Sequence, residues 1–95
     1  VVCVSPVAAW ELAIKHRLGK LRGGDKVVPR FRGLLSREQF RILPITIEHA
    51  LRAGSYGTTH RDPFDRVLAA QAELEDLVLL TRDPAFAEFP CETLW

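Results

Sequence analysis

Ninety-five residues, 47% hydrophobic and 26% charged with a formal charge of +1, suit one small globular domain over residues 1–95 with a modest core. No apolar stretch approaches a membrane span and no signal-peptide pattern opens the chain, so no membrane partner and a cytoplasmic setting are expected. Cys3 and Cys91 have neither CxxC nor Cys/His zinc spacing, and Cys3, inside an apolar run, is expected to be buried. The near-neutral charge hides an asymmetry. Residues 15–41 hold Lys15, Arg17, Lys20, Arg22, Lys26, Arg30, Arg32, Arg37 and Arg41 against Asp25 and Glu38, whereas residues 61–95 are mainly acidic. A basic half beside an acidic half suits a protein that grips a polyanion and does metal chemistry nearby; ordinary solvated helix faces are the competing explanation.

The β-branched run Val1-Val2-Cys3-Val4 predicts a buried strand. Ser5-Pro6 opens a helix with Ser at N-cap and Pro at N1; Val7, Trp10, Ala13, Ile14 and Leu18 share one face, and Gly19 closes it. Lys20 to Pro29, with Gly23-Gly24, reads as a flexible basic loop, and it lacks the Gly-Lys-Ser/Thr of a phosphate loop. Phe31 to Phe40 predict a short helix carrying Phe31, Leu34 and Leu35 inward, and Arg41–Ile45 an edge strand interrupted by Pro44. Thr46 caps the next helix, with Ile47, Ala50 and Leu51 as its packing stripe. A helix from Asp62 to about Glu75 is expected to bury Phe64, Val67, Leu68 and Leu74, followed by a central strand, Leu77–Thr81. Ala85, Phe86 and Phe89 indicate a helical turn, and Glu92–Trp95 a last edge strand. Alternating strands and helices predict a three-layer α/β domain with a mostly parallel sheet.

The helix from Asp62 rises roughly 20 Å at 1.5 Å per residue, and the run to Thr81 returns roughly 17 Å at 3.3 Å per residue. Asp65 and Asp83 are therefore expected at one edge of the sheet, the carboxyl edge where α/β proteins place their sites. Glu11 lies within two helical turns of the first strand and points to the same edge. Each acid has a competing structural role. Asp62 is an N-cap with Pro63 at N1, Asp65 suits the positive end of the helix dipole, Asp83-Pro84 repeats the cap-then-proline pattern, and Glu11 can pair with Lys15. Gathered carboxylates repel one another unless a cation holds them, and hard oxygen donors suit Mg²⁺, with Mn²⁺ as the alternative. His16, His49 and His60 lack zinc spacing and are expected at the surface. No Ser/His/Asp or Cys/His nucleophile pattern is visible.

Three ordered blocks carry a family resemblance. Ser5-Pro6-Val7-Ala8-Ala9-Trp10-Glu11-Leu12-Ala13-Ile14-Lys15, with Leu18-Gly19-Lys20-Leu21, resembles the second block of VapC-type PIN-domain toxins. His60-Arg61-Asp62-Pro63-Phe64-Asp65-Arg66, leading into Leu68-Ala69-Ala70-Gln71-Ala72, resembles the third, and Leu80-Thr81-Arg82-Asp83-Pro84-Ala85-Phe86 the fourth. The resemblance implies a three-layer α/β/α domain and a Mg²⁺-dependent endoribonuclease toxin of a type II toxin-antitoxin system, usually a homodimer, held inactive by a cognate antitoxin. It implies catalytic and metal-site roles for Glu11, Asp65 and Asp83, an accompanying acid at Asp62, and a supporting hydroxyl at Thr81. Lys20, Arg22, Lys26 and Arg30 are the expected RNA contacts, with an acidic partner surface as the alternative for this basic segment. Family members begin with a strand bearing a first site aspartate, before the point where this chain starts. A truncated, weakly active and weakly stable chain is therefore expected, and a non-catalytic module binding RNA or an antitoxin is the alternative reading.

Overall fold

The computed structural model describes residues 2–20, 26–37, 40–81 and 83–94, without the side chains of Val27, Val28 and Leu34. Two compact units divide the chain, Val1–Pro44 and Ile45–Trp95. The first holds strand β1 (Val2–Val4), helices α1 (Pro6–Arg17) and α2 (Val27–Arg37), and strand β2 (Phe40–Ile42). The second holds α3 (Ile47–Ser55), α4 (Pro63–Leu74), β3 (Leu79–Leu80), a short 3-10 helix (Pro84–Glu88) and β4 (Thr93–Leu94). Strands β1 and β2 pair in parallel, as do β3 and β4, so the fold is α/β. No helix among the described residues is long and apolar enough to cross a membrane.

In the first unit Val2 lies opposite Phe40, Cys3 opposite Arg41 and Val4 opposite Ile42. The Leu43 N–H extends the ladder to the Val4 carbonyl at 2.8 Å, and Pro44, with no N–H to donate, follows. Pairing thus begins one residue before the expected strand and ends sooner. Val2, Cys3 and Ile42 are exposed, which corrects the expectation of a buried strand and a buried thiol. A pair of strands buries little by itself, and successive residues alternate between its two faces.

Helix α1 begins as expected, with Ser5 Oγ accepting the Val7 N–H at 3.1 Å and Pro6 in the first turn. It ends in a Schellman motif: the Lys20 N–H reaches the Lys15 carbonyl and the Gly19 N–H the His16 carbonyl, with Gly19 at φ 69°. The predicted inward stripe is corrected. Val7 is buried, but Trp10 is 60% exposed, and Ala13 and Leu18 are exposed too. Apolar residues run nearly all round this helix, so its pattern singles out no unique face. Helix α2 starts at Val27, inside the predicted basic loop, because Pro29 falls in its first turn, where no intrahelical N–H bond is lost. Arg22 and Gly23-Gly24 lie outside the described residues, as does the expected inward placement of Leu34.

The second unit is built from α3 packed on α4. Thr46 and His49 form a reciprocal cap: Thr46 Oγ1 accepts the His49 N–H at 3.2 Å, and His49 Nδ1 accepts the Thr46 N–H at 3.0 Å. His49 is 1% exposed, which corrects its assignment to the surface. With Nδ1 accepting, Nε2 carries the proton of the neutral ring, and it points at Glu75 Oε2 3.6 Å away. The inward face of α3 is His49 and Ala53, while the expected stripe of Ile47, Ala50 and Leu51 is exposed. On α4 the fully covered residues are Ala69, Ala70, Gln71 and Ala72; Phe64, Val67 and Leu68 are half-buried and Leu74 is exposed. Small side chains allow close approach, so the alanines take the centre and the larger apolar groups the flanks. The C-terminus repeats the Schellman pattern, Leu77 N–H to Ala72 carbonyl and Asp76 N–H to Glu73 carbonyl, with Asp76 rather than glycine at φ 55°.

Phe89 is the hub of this core. It packs with Ala69 and Phe86, and its ring centroid lies 5.1 Å from Tyr56, 5.3 Å from His60 and 5.9 Å from Phe86. In β3 the alternation is plain: Leu79 faces this core, while Leu80 is 66% exposed beside Leu94, its partner in register. The strand is shorter and more open than its apolar run predicted. Phe89→Ala is expected to cost about 3–5 kcal/mol in denaturant unfolding, the usual range for deleting a buried aromatic; a loss below about 1 kcal/mol contradicts the hub role.

Candidate functional site

The acidic residues of interest take their positions from helix starts. Asp62 caps α4, its Oδ1 accepting the Phe64 N–H at 2.9 Å and the Asp65 N–H at 3.4 Å, with Pro63 in the first turn. Asp65 follows in that turn, where the exposed N–H groups and the helix dipole favour a negative charge. Asp83 caps the 3-10 helix, its Oδ1 accepting the Ala85 N–H at 2.9 Å, while its own N–H donates to Thr81 Oγ1 at 3.1 Å. Thr81 thus orients the backbone that carries Asp83. Glu11 stands on α1 in the other unit, with Lys15 Nζ 3.4 Å from its Oε2.

Around Asp65 the structure brings together residues that the sequence reading set aside. His60 Nε2 lies 2.8 Å from Asp65 Oδ2, with side-chain exposures of only 18% and 13%. An ionised carboxylate only accepts, so Nε2 carries the proton and donates. Glu88 Oε2 is 3.9 Å from the other ring nitrogen, Nδ1, and Thr58 Oγ1 donates to Glu88 Oε1 at 3.0 Å. Phe89 meets the imidazole edge-on at an interplanar angle of 83°. His60 is therefore enclosed, which corrects its placement on the surface.

Arg66 secures the chain that leads into α4. Its Nε donates to the Ala53 carbonyl at 2.8 Å, Nη1 to the His60 carbonyl at 2.8 Å and Nη2 to the Tyr56 carbonyl at 2.6 Å. Its guanidinium carbon also lies 6.0 Å from the centroid of the Tyr56 ring. Helical side chains lean towards the N-terminus, so an arginine in the first turns falls over the entering loop. That position was the available signal for Arg66, and the spacing of His60 five residues before Asp65 was the signal for the histidine. Tyr56 in turn donates to Glu73 Oε1 at 2.9 Å, and burial, reinforced by that carboxylate, raises its pKa.

Among the described residues, no three His, Cys, Asp or Glu side chains stand together in an arrangement that could hold a metal ion. His60, Asp65 and Glu88 meet instead as an imidazole between two carboxylates. Lys20, Lys26 and Arg30 are exposed on the first unit, in keeping with charges meant for solvent or a polyanion, and Arg22 lies outside the described residues. The hydrogen bond to Asp65 and the nearby carboxylates hold the His60 pKa above its ordinary 6.5, against an opposing effect of burial.

The sign of this linkage follows directly. A raised folded-state pKa adds stability that is complete below the unfolded value and fades as pH rises through the folded value. In an NMR pH titration of the metal-free chain, His60 is expected to titrate above 6.5 and Asp65→Asn to bring its midpoint down. A midpoint that Asp65→Asn leaves in place would rule out the pairing.

Residues 1–90 match the family described as the PIN domain. Comparison with curated proteins finds no match. PIN domains are generally nucleases and typically use divalent metals. The match spans both units, covering α1, α4, Thr81 and Asp83. This chain belongs to the PIN domain family, with the nuclease-type function that membership indicates.

Proposed function

We propose that the chain is a Mg²⁺-dependent endoribonuclease toxin of the VapC type, with a three-layer α/β/α arrangement, acting in the cytoplasm. The supporting observation is the juxtaposition, within the PIN match, of a helix-start carboxylate, Asp65, with an imidazole that holds it. Glu11, Asp65 and Asp83, with Asp62 alongside, are the residues that would hold the cation. Their donor chemistry fits: all are carboxylates, the hard oxygen ligands Mg²⁺ and Mn²⁺ take. When bound, such an ion polarises a phosphate oxygen and lowers the pKa of an attacking water.

The protein's own residues supply the rest. Asp62 and Asp83 fix the starts of the two helical segments, and Thr81 anchors the turn into Asp83. Lys20, Arg22, Lys26 and Arg30 are the proposed contacts to RNA phosphates, through charge and without reading base identity. A cognate antitoxin and a second copy of the chain are the proposed protein partners.

The experiment is cleavage of a labelled single-stranded RNA at fixed salt, with and without Mg²⁺. Chelation is expected to stop cleavage, added Mg²⁺ to restore it, and Asp65→Asn to lower the rate by at least about 100-fold, as when a catalytic metal is lost. Cleavage that survives both chelation and Asp65→Asn contradicts the proposal. RNA binding without metal-dependent cleavage supports the second reading, a non-catalytic module.

A further inference from the structure

We infer that His60 and Arg66 are positioning residues for the Asp65 carboxylate: Arg66 fixes the segment that carries His60, and His60 holds Asp65 Oδ2. The consequence for catalysis rests on the nuclease reading above; the positioning itself belongs to the metal-free chain.

The inference is carried by a continuous set of contacts within residues 53–89. The segment from Tyr56 to Arg61 has no helix or strand to employ its carbonyls. Arg66 employs two of its carbonyls, Tyr56 and His60, and the Ala53 carbonyl in the last turn of α3, through three different nitrogens of one rigid fork. One of them is the carbonyl of His60 itself, so the backbone origin of the imidazole is fixed from the helix that also carries Asp65. Arg66 and Asp65 are adjacent in sequence. The donor that sets the loop and the carboxylate the loop serves therefore share one rigid turn.

The His60 backbone amide and its ring are then restrained by further contacts. The His60 N–H donates to Thr58 Oγ1 at 3.2 Å, Phe89 packs edge-on at 5.3 Å, and Glu88 lies beyond Nδ1 at 3.9 Å. With those restraints Nε2 meets Asp65 Oδ2 at 2.8 Å. A simple surface ion pair needs none of this enclosure. Groups that orient a metal-binding side chain commonly change metal affinity or activity 10–100-fold when removed. Arg66→Lys is the informative substitution, because it retains the charge and most of the reach but removes the planar fork that serves three carbonyls at once.

The test begins with NMR of the metal-free 95-residue chain, observing the imidazole Nε2 proton of His60 and the carboxyl carbon of Asp65. In folded Arg66→Lys and Arg66→Met, the Nε2 proton is expected to lose its protection from exchange. The Asp65 carboxyl resonance is expected to move in the same direction as in His60→Ala. Arg52→Met, which removes a cation 3.5 Å from Glu73 on the same unit, is expected to leave both signals in place. A protected Nε2 proton and an unmoved Asp65 resonance in either folded Arg66 variant overturn the inference. Should both variants unfold, a folded His60→Ala chain with an unmoved Asp65 resonance overturns it alone. In RNA cleavage, His60→Ala and Arg66→Lys are expected to lower kcat about 10–100-fold with KM unchanged, and His60→Gln to recover much of the loss. A parent chain that cleaves no RNA overturns the nuclease reading and leaves the NMR result to decide the positioning.

Discussion

The organisation of the second unit depends on one requirement, that the carbonyls of an irregular segment find donors. Residues 56–61 enter α4 without helix or ladder bonds, and unpaired buried carbonyls are costly. Arg66 meets the requirement from the helix itself, serving Tyr56 and His60 in the segment and Ala53 at the end of α3. Each hydrogen bond from a charged donor contributes on the order of 1.5–3 kcal/mol, so three on one side chain make Arg66 a larger influence than any exposed ion pair nearby. Once the segment is fixed, Tyr56 and His60 both lean on Phe89, and the aromatic core and the acidic turn become parts of one structure.

Charge is handled locally around that turn. Asp62 is taken up by backbone N–H groups and Asp65 by an imidazole, both at the helix end where negative charge is favoured. The arrangement gives two neighbouring carboxylates separate partners without placing them in direct opposition. His60 also sits near Glu88, so a single side chain balances acids from α4 and from the 3-10 helix. Each acid proposed for the metal in this unit has an identifiable structural partner, which explains why the capping and site readings coexist at the same residues.

How much was legible in the sequence follows the range of the interactions. Ser5, Thr46, Asp62 and Asp83 are correctly read as helix starts because a cap is decided within three residues. The closure of α1 at Gly19 is legible for the same reason. Inward faces are not, since they depend on what each helix meets. His49 goes inside because Thr46 and Glu75 satisfy its ring, while Ile47 and Leu51 stay out. The start of α2 was obscured by Gly23-Gly24 and the cations that made Lys20 to Pro29 read as a loop, although Pro29 fits a first turn. At the site the acids stand out by type and spacing, but His60 and Arg66 needed the tertiary path of residues 53–62 to acquire roles.

The most direct measurement is Mn²⁺-induced line broadening across the amide NMR spectrum of the chain, at substoichiometric metal. Selective broadening of the amides around Asp62–Asp65, Thr81–Asp83 and Glu11, reversed by excess Mg²⁺ and absent in Asp65→Asn, is the predicted result. Uniform weak broadening, or selective broadening away from these three stretches, contradicts a metal-dependent site built on Asp65.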